Sequence, residues 1–174
     1  MARRRAGGHE LMSGRCHPAS GLLKATWSDA DLEAMSWHDV TIHGLYVQPA
    51  EQGMPWLLFD LDYIVRWVHP VPPARTFSFW IAPATLVFDD VTDMVGDVDF
   101  SGSLPELMVD ELRRVSTEDG SVEPLWHIEG HAFDLRFRAS GFRQFIRQPP
   151  RLVSQRVLLR SERGGYSFAE TAFA

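Results

Sequence analysis

Residues 56–68, WLLFDLDYIVRWV, constrain the fold more than any other stretch of the chain. Leu57, Phe59, Leu61, Tyr63, Val65 and Trp67 recur at every second position with no polar interruption. A period of two belongs to a β-strand, whose side chains alternate between the faces of a sheet. Six large apolar side chains on one face need a second layer to cover them, so the chain is expected to build a packed β-structure. The opposite face reads Leu58, Asp60, Asp62, Ile64, Arg66 and Val68, polar in the middle and apolar at its ends. This segment is expected to be the central core strand.

Other segments repeat the pattern. In 39–47, Val40 and Ile42 alternate with Thr41 and His43, and Gly44 signals a bulge. Residues 76–88 read as a second long strand in which Pro83 calls for an edge position or a bulge. Residues 125–139 read as a hairpin turning at Gly130, with Phe133, Leu135 and Phe137 alternating with Asp134, Arg136 and Arg138. A last strand is expected around 152–159, followed by a fraying SERGGYSF; 89–100 reads as a turn-rich continuation. Residues 104–115 suit a helix or a strand. Ser28 ahead of Asp29 and Asp31, with Leu32 and Met35 following, predicts one short helix ending near Trp37. The expected fold class is therefore mainly β: an antiparallel β-sandwich or barrel with one or two short helices.

A length of 174 residues fits one domain with a tail. Residues 1–24 carry Gly, Arg and Ser with neither period and are expected to form a disordered leader, leaving 25–174 as a single β-rich domain. Arg3, Arg4 and Arg5 are followed by Gly, His, Glu and Pro where an export signal needs an apolar run. No apolar run approaches the length of a membrane span, so no membrane contact is expected. The single cysteine, Cys16, excludes an intramolecular disulfide and any Cys-rich zinc site, and points to a cytoplasmic home.

The net charge of −6 conceals an uneven layout. Segment 39–99 contains nine acids against Arg66 and Arg75, whereas 136–163 contains eight arginines against Glu162. The two blocks are expected either to pair across neighbouring strands or to form surfaces of opposite sign. An acidic body argues against nucleic acid as a partner, because phosphate contacts need a concentrated basic face.

Segments SWHDVTIHG (36–44), FDLDYIVRW (59–67), FWIAPATLVFDDVTD (79–93) and ASGFRQFIRQPP (139–150) together resemble a family of bacterial proteins with no known activity. The resemblance spans roughly 36–155. It implies no activity, cofactor or catalytic residue.

Three constellations carry potential chemistry. His38, Asp39 and His43 are of the types that hold divalent ions, although a strand or a helix would split the trio between faces. Asp60 and Asp62 share one strand face, about 6–7 Å apart, where a cation could relieve their repulsion. Arg136 and Arg138 share another face with Asp134 and suit an anionic ligand or the acidic strands. No nucleophile elbow, phosphate loop or dinucleotide fingerprint is present, so no catalytic residue and no cofactor is expected. These observations point first to a soluble bacterial binding module that presents an acidic surface to a protein partner. The alternative is a barrel enzyme or carrier whose interior gathers Asp60, Asp62, Arg136 and Arg138 to bind a phosphorylated or anionic small molecule, with a divalent metal taking part.

Overall fold

A computed structural model describes residues 16–99, 101, 107–116 and 120–174. It is mainly β, with ten strands and one six-residue 3-10 helix among the described residues. The strands are β1 (Thr26–Ser28), β2 (Thr41–Gln48), β3 (Trp56–Val68), β4 (Ser78–Asp89), β5 (Thr92–Val98), β6 (Val109–Val115), β7 (Leu125–Gly130), β8 (Phe133–Arg138), β9 (Gly141–Ile146) and β10 (Arg151–Val153). They form two antiparallel sheets layered as a sandwich rather than a closed barrel. One sheet runs β1-β9-β4-β3-β2, with β10 also pairing β4; the other runs β5-β8-β7-β6.

The core lies between the sheets. Phe88 sits at its centre, its ring 4.7 Å from Phe137, 5.3 Å from Trp126, 5.9 Å from Phe142 and 6.2 Å from Phe59. All five rings are buried. The alternation that sequence reads in β3 holds from Leu57 to Tyr63. The register then shifts between Ile64 and Arg66, placing Trp67 opposite Phe79 and Arg66 opposite Trp80. A bulge adds one residue, so everything beyond it changes face. Trp67 thus leaves the face of Leu57–Tyr63 and stands 38 % exposed. β3 is an interior strand, but β4 holds the middle of its sheet.

Pro83 occupies that interior strand without a bulge, opposite Asp62. Its tolerance has a plain cause. β9 pairs β4 only from Ala84 onward, and β10 pairs it only up to Ile81. Pro83 falls in the gap between the two, where no partner requires its missing N–H, and its carbonyl accepts from the Arg147 amide at 2.9 Å.

Several local expectations change in the structure. The short helix is a 3-10 turn, Asp29–Ala34, opened by Ser28, whose amide donates to Asp31 at 3.0 Å. Segment 92–98, read as turns because of its Asp and Gly content, is strand β5. Of 104–115, Val109–Val115 is strand. The last strand stops at Val153.

Residues 16–24 depart from the expected disordered leader; residues 1–15 lie outside the described residues. His17 bridges Leu22, Arg66 donates to the Ala19 carbonyl at 2.8 Å, and the His17 ring stands 5.6 Å from Trp80. Leu22 is 2 % exposed. Burial of this leucine is worth roughly 2–5 kcal/mol in the large-to-small range. Leu22→Ala is therefore expected to lower Tm by several degrees in a thermal melt, whereas Leu23→Ala, at an exposed position, should leave it unchanged.

Candidate functional site

β3 carries Asp60 and Asp62 on the sheet face turned away from the sandwich core, and this face is not wet. Both side chains are fully buried. The C-terminal segment beyond β10 lies over them and inserts Arg163, itself 1 % exposed. Its guanidinium grips Asp60 with two nitrogens, at 2.8 and 2.9 Å, and donates Nε to Asp62 at 3.1 Å. Two left-handed glycines, Gly164 (φ 75°) and Gly165 (φ 87°), turn the chain directly after it. Arg147, just past β9, adds a third nitrogen to Asp60 at 2.5 Å and another to the Thr85 hydroxyl at 2.9 Å. Backbone amides complete the set: Ser167 donates to Asp60 at 3.1 Å and Leu158 to Asp62 at 2.8 Å.

His43 reaches the same cluster because of a bulge. The β2–β3 register shifts between Ile42 and Gly44, so His43 is the extra residue. Its Nε2 stands 3.0 Å from Asp62 Oδ2, without the alignment of a good hydrogen bond. Gly44 leaves room for the covering tail: a Cβ there would meet the Phe168 ring at 3.2 Å.

Two carboxylates face two guanidiniums, so the buried charges of the cluster balance. Burial pushes both carboxyls up, but the arginines and amides outweigh it. Hydrogen bonds from Arg163 and Arg147 hold Asp60 below its ordinary range, and contacts from His43 and the Leu158 amide do the same for Asp62. Burial lowers Arg163, yet Asp60 and Asp62 raise it above its ordinary value. Each carboxylate oxygen already has a protein partner, which leaves no open ligand position for a cation. The chemistry of this cluster is that of a lock on the C-terminal segment.

The other sequence candidates fall elsewhere. His38 is largely exposed, with Nδ1 3.3 Å from Asp39 Oδ2. Asp39 is bound by Arg156 at 3.0 Å, so His38 and Asp39 stand apart from the cluster His43 joins. Among the described residues, no three His, Cys, Asp or Glu side chains are grouped to hold a metal ion. Arg136 and Arg138 lie on β8 in the second sheet and do not converge with Asp60 and Asp62. Arg136 contacts Asp134 at 3.3 Å; Arg138 donates to the Glu123 carbonyl at 2.9 Å and stands 3.7 Å from Asp93. Sequence reading missed Arg147 and Arg163. The signal for them was the surplus of arginines in 136–163 facing the surplus of acids in 39–99. Beyond the Asp60 and Asp62 cluster, Arg143 with Asp89 at 2.7 Å and Arg156 with Asp39 join the same two blocks.

The outer face of the second sheet carries the remaining charge order. Register places Glu111 opposite Glu129, Glu129 opposite Asp134, and Asp134 opposite Asp97, a row of acids across all four strands. Beside it runs a row of Arg113, His127 and Arg136. His127 is buried, with Nδ1 2.7 Å from Arg113 and Nε2 2.7 Å from Asp134. A guanidinium only donates, so Nδ1 accepts and Nε2 carries the proton toward Asp134. That contact draws the Asp134 carboxyl below its ordinary range.

No family model, no curated protein and no solved structure matches this chain.

Proposed function

We propose that this protein is a non-catalytic interaction module whose second sheet presents an acidic face to a protein partner in the bacterial cytoplasm. The observation that carries the reading is the row Glu111, Glu129, Asp134 and Asp97. Like charges directly opposite on neighbouring strands cost stability, and a partner bearing basic side chains relieves that cost on binding. Arg113, His127 and Arg136 offset part of the repulsion internally, while Asp97 and Glu129 remain exposed. The Asp60 and Asp62 carboxylates, the strongest alternative centre, are taken up by arginines and amides. No helix among the described residues is long and apolar enough to cross a membrane.

The reading is tested with the triple variant Asp97→Asn/Glu111→Gln/Glu129→Gln, immobilised beside the wild type and exposed to a bacterial lysate at low and high salt. Capture of a basic protein by the wild type alone, weakened by salt, is the expected result. The variant should melt at the same temperature or slightly higher, because like-charge repulsion is removed. Equal capture by both proteins, or turnover of a phosphorylated small molecule by the wild type, would refute the module.

A further inference from the structure

The free edge of β6 is a groove in which the chain begins a strand of its own and then abandons it. Val109 exchanges backbone hydrogen bonds with the segment before β2: its amide donates to Val40 at 2.9 Å, and its carbonyl accepts from Asp39 at 2.8 Å. Thr41 and Met108 form an antiparallel bridge, and the Ile42 amide donates to Leu107 at 2.8 Å. Carried further back toward residue 34, this ladder would run along β6, which is itself bulged at Asp110. It stops because Asp39 adopts a left-handed conformation, φ 64°, fixed by Arg156. Trp37 then turns into the core, where its Nε1 donates to Gln144 at 2.8 Å and its ring packs 5.4 Å from Phe142. Among the described residues, β6 pairs in its sheet only with β7, so the backbone groups of its other edge have no strand partner there.

A cleft of about 300 Å³ opens at this point between 32–38 and 110–114. Leu32, Met35 and Leu112 line it together with Glu33, Glu111 and Arg113, so its walls are partly apolar and partly charged. An edge without a strand partner among the described residues, next to a cleft of mixed polar and apolar lining, is the geometry that accepts an added strand.

We propose that the edge of β6 binds an extended segment of a partner protein, which pairs antiparallel with residues 111–115, beyond the bulge at Asp110, and extends the acidic sheet by one strand. The inference rests on the interaction-module reading and names where the partner docks. Direction follows from the chain's own segment 39–42, which already runs antiparallel to 107–109. Side-chain chemistry follows from register. Glu111 and Arg113 lie on the outer face and pair with each other along the strand, so a partner that is basic opposite Glu111 and acidic opposite Arg113 extends this pair across the new strand. Between them, one apolar side chain points to the Leu112 side. In an antiparallel strand these read, from N to C, acidic–apolar–basic.

Two capped heptapeptides test this: Ser-Thr-Glu-Val-Lys-Thr-Tyr, and the same sequence with Glu and Lys exchanged. Each is titrated to about 1 mM into ¹⁵N-labelled protein and followed by amide chemical shifts. The expected result is saturable shifts at 110–114 and 32–38, with the exchanged peptide binding roughly tenfold more weakly. Ser36→Trp, which fills the exposed slot and leaves the acidic face intact, should abolish the shifts while the Tm is kept. No saturable shift at 110–114 with either peptide, equal binding of the two, or unchanged binding by Ser36→Trp overturns the proposal. A natural partner that is lost with the neutralised face but retained by Ser36→Trp would overturn the groove and leave the module standing.

Discussion

Arg163→Met is expected to destabilise the protein by about 3–5 kcal/mol. Methionine keeps much of the side-chain volume, so the loss measures charge and hydrogen bonding rather than a cavity. Removing the guanidinium leaves Asp60 with Arg147 and the Ser167 amide, and leaves Asp62 with only His43 and the Leu158 amide. A buried carboxylate without its partner is far costlier than the pair was stabilising, because its desolvation is no longer offset. The pH dependence should change sign with it. In the wild type both carboxyls titrate below their ordinary value. A depressed folded pKa gives stability that is present above the unfolded value and lost as pH falls through the folded one. The wild type should therefore weaken only below about pH 4. In Arg163→Met, burial dominates and raises the Asp62 carboxyl, so acidification from about pH 7 to 5 should recover part of the loss. Urea melts across this range check both halves. A variant within about 0.5 kcal/mol of wild type at pH 7 would mean that the cluster is not held as described.

Phe88→Ala is expected to cost about 3–5 kcal/mol, with the upper part of that range favoured by its position. Its ring touches aromatic rings from β3, β7, β8 and β9, so the residue joins both sheets. Rigid rings on every side collapse poorly into the space left behind, and the cost of a cavity grows with the volume that stays open. Phe77→Ala, at an exposed ring beside Trp67, serves as the control and should cost far less. Denaturant midpoints of the two variants compare them directly.

The β-architecture was legible where one face of a strand is uniformly apolar. Leu57 to Tyr63 and Phe133 to Phe137 show this. It was not legible where both faces are apolar. Ile64 and Val65 give no hint of which way the chain turns, so the bulge that reverses Trp67 left no mark. β5 was hidden because Asp93, Gly96 and Asp97 carry turn chemistry, yet its Val95 and Val98 pair in register with β8.

The candidate centre divides in the same way. Local spacing sufficed to put Asp60 and Asp62 on one face, between the apolar Leu58 and Ile64. Their partners come from a different scale of sequence. Arg147 and Arg163 lie 87 and 103 residues from Asp60, and nothing local in RQPPR or SERGGYSF announces that they fold inward. Charge blocks of opposite sign were the only trace of the pairing. The acidic row of the second sheet was invisible for a related reason. It depends on the register of four strands at once, and register is set by turns and bulges rather than by composition.

Thermal melts of the wild type, Asp60→Asn and Asp62→Asn, each with and without Mg²⁺, Mn²⁺ and Ca²⁺, test the central claim that these carboxylates lock the C-terminal segment. Asp60→Asn strands the charge of Arg147 and leaves Arg163 with Asp62 alone in a buried site, so it should lower the Tm sharply. No ion should move the wild-type melt. A cation site predicts the opposite sign on both counts: an ion would raise the wild-type Tm, and the metal-free Asp60→Asn variant would be more stable than wild type because carboxylate repulsion is relieved. That pair of results would contradict the lock.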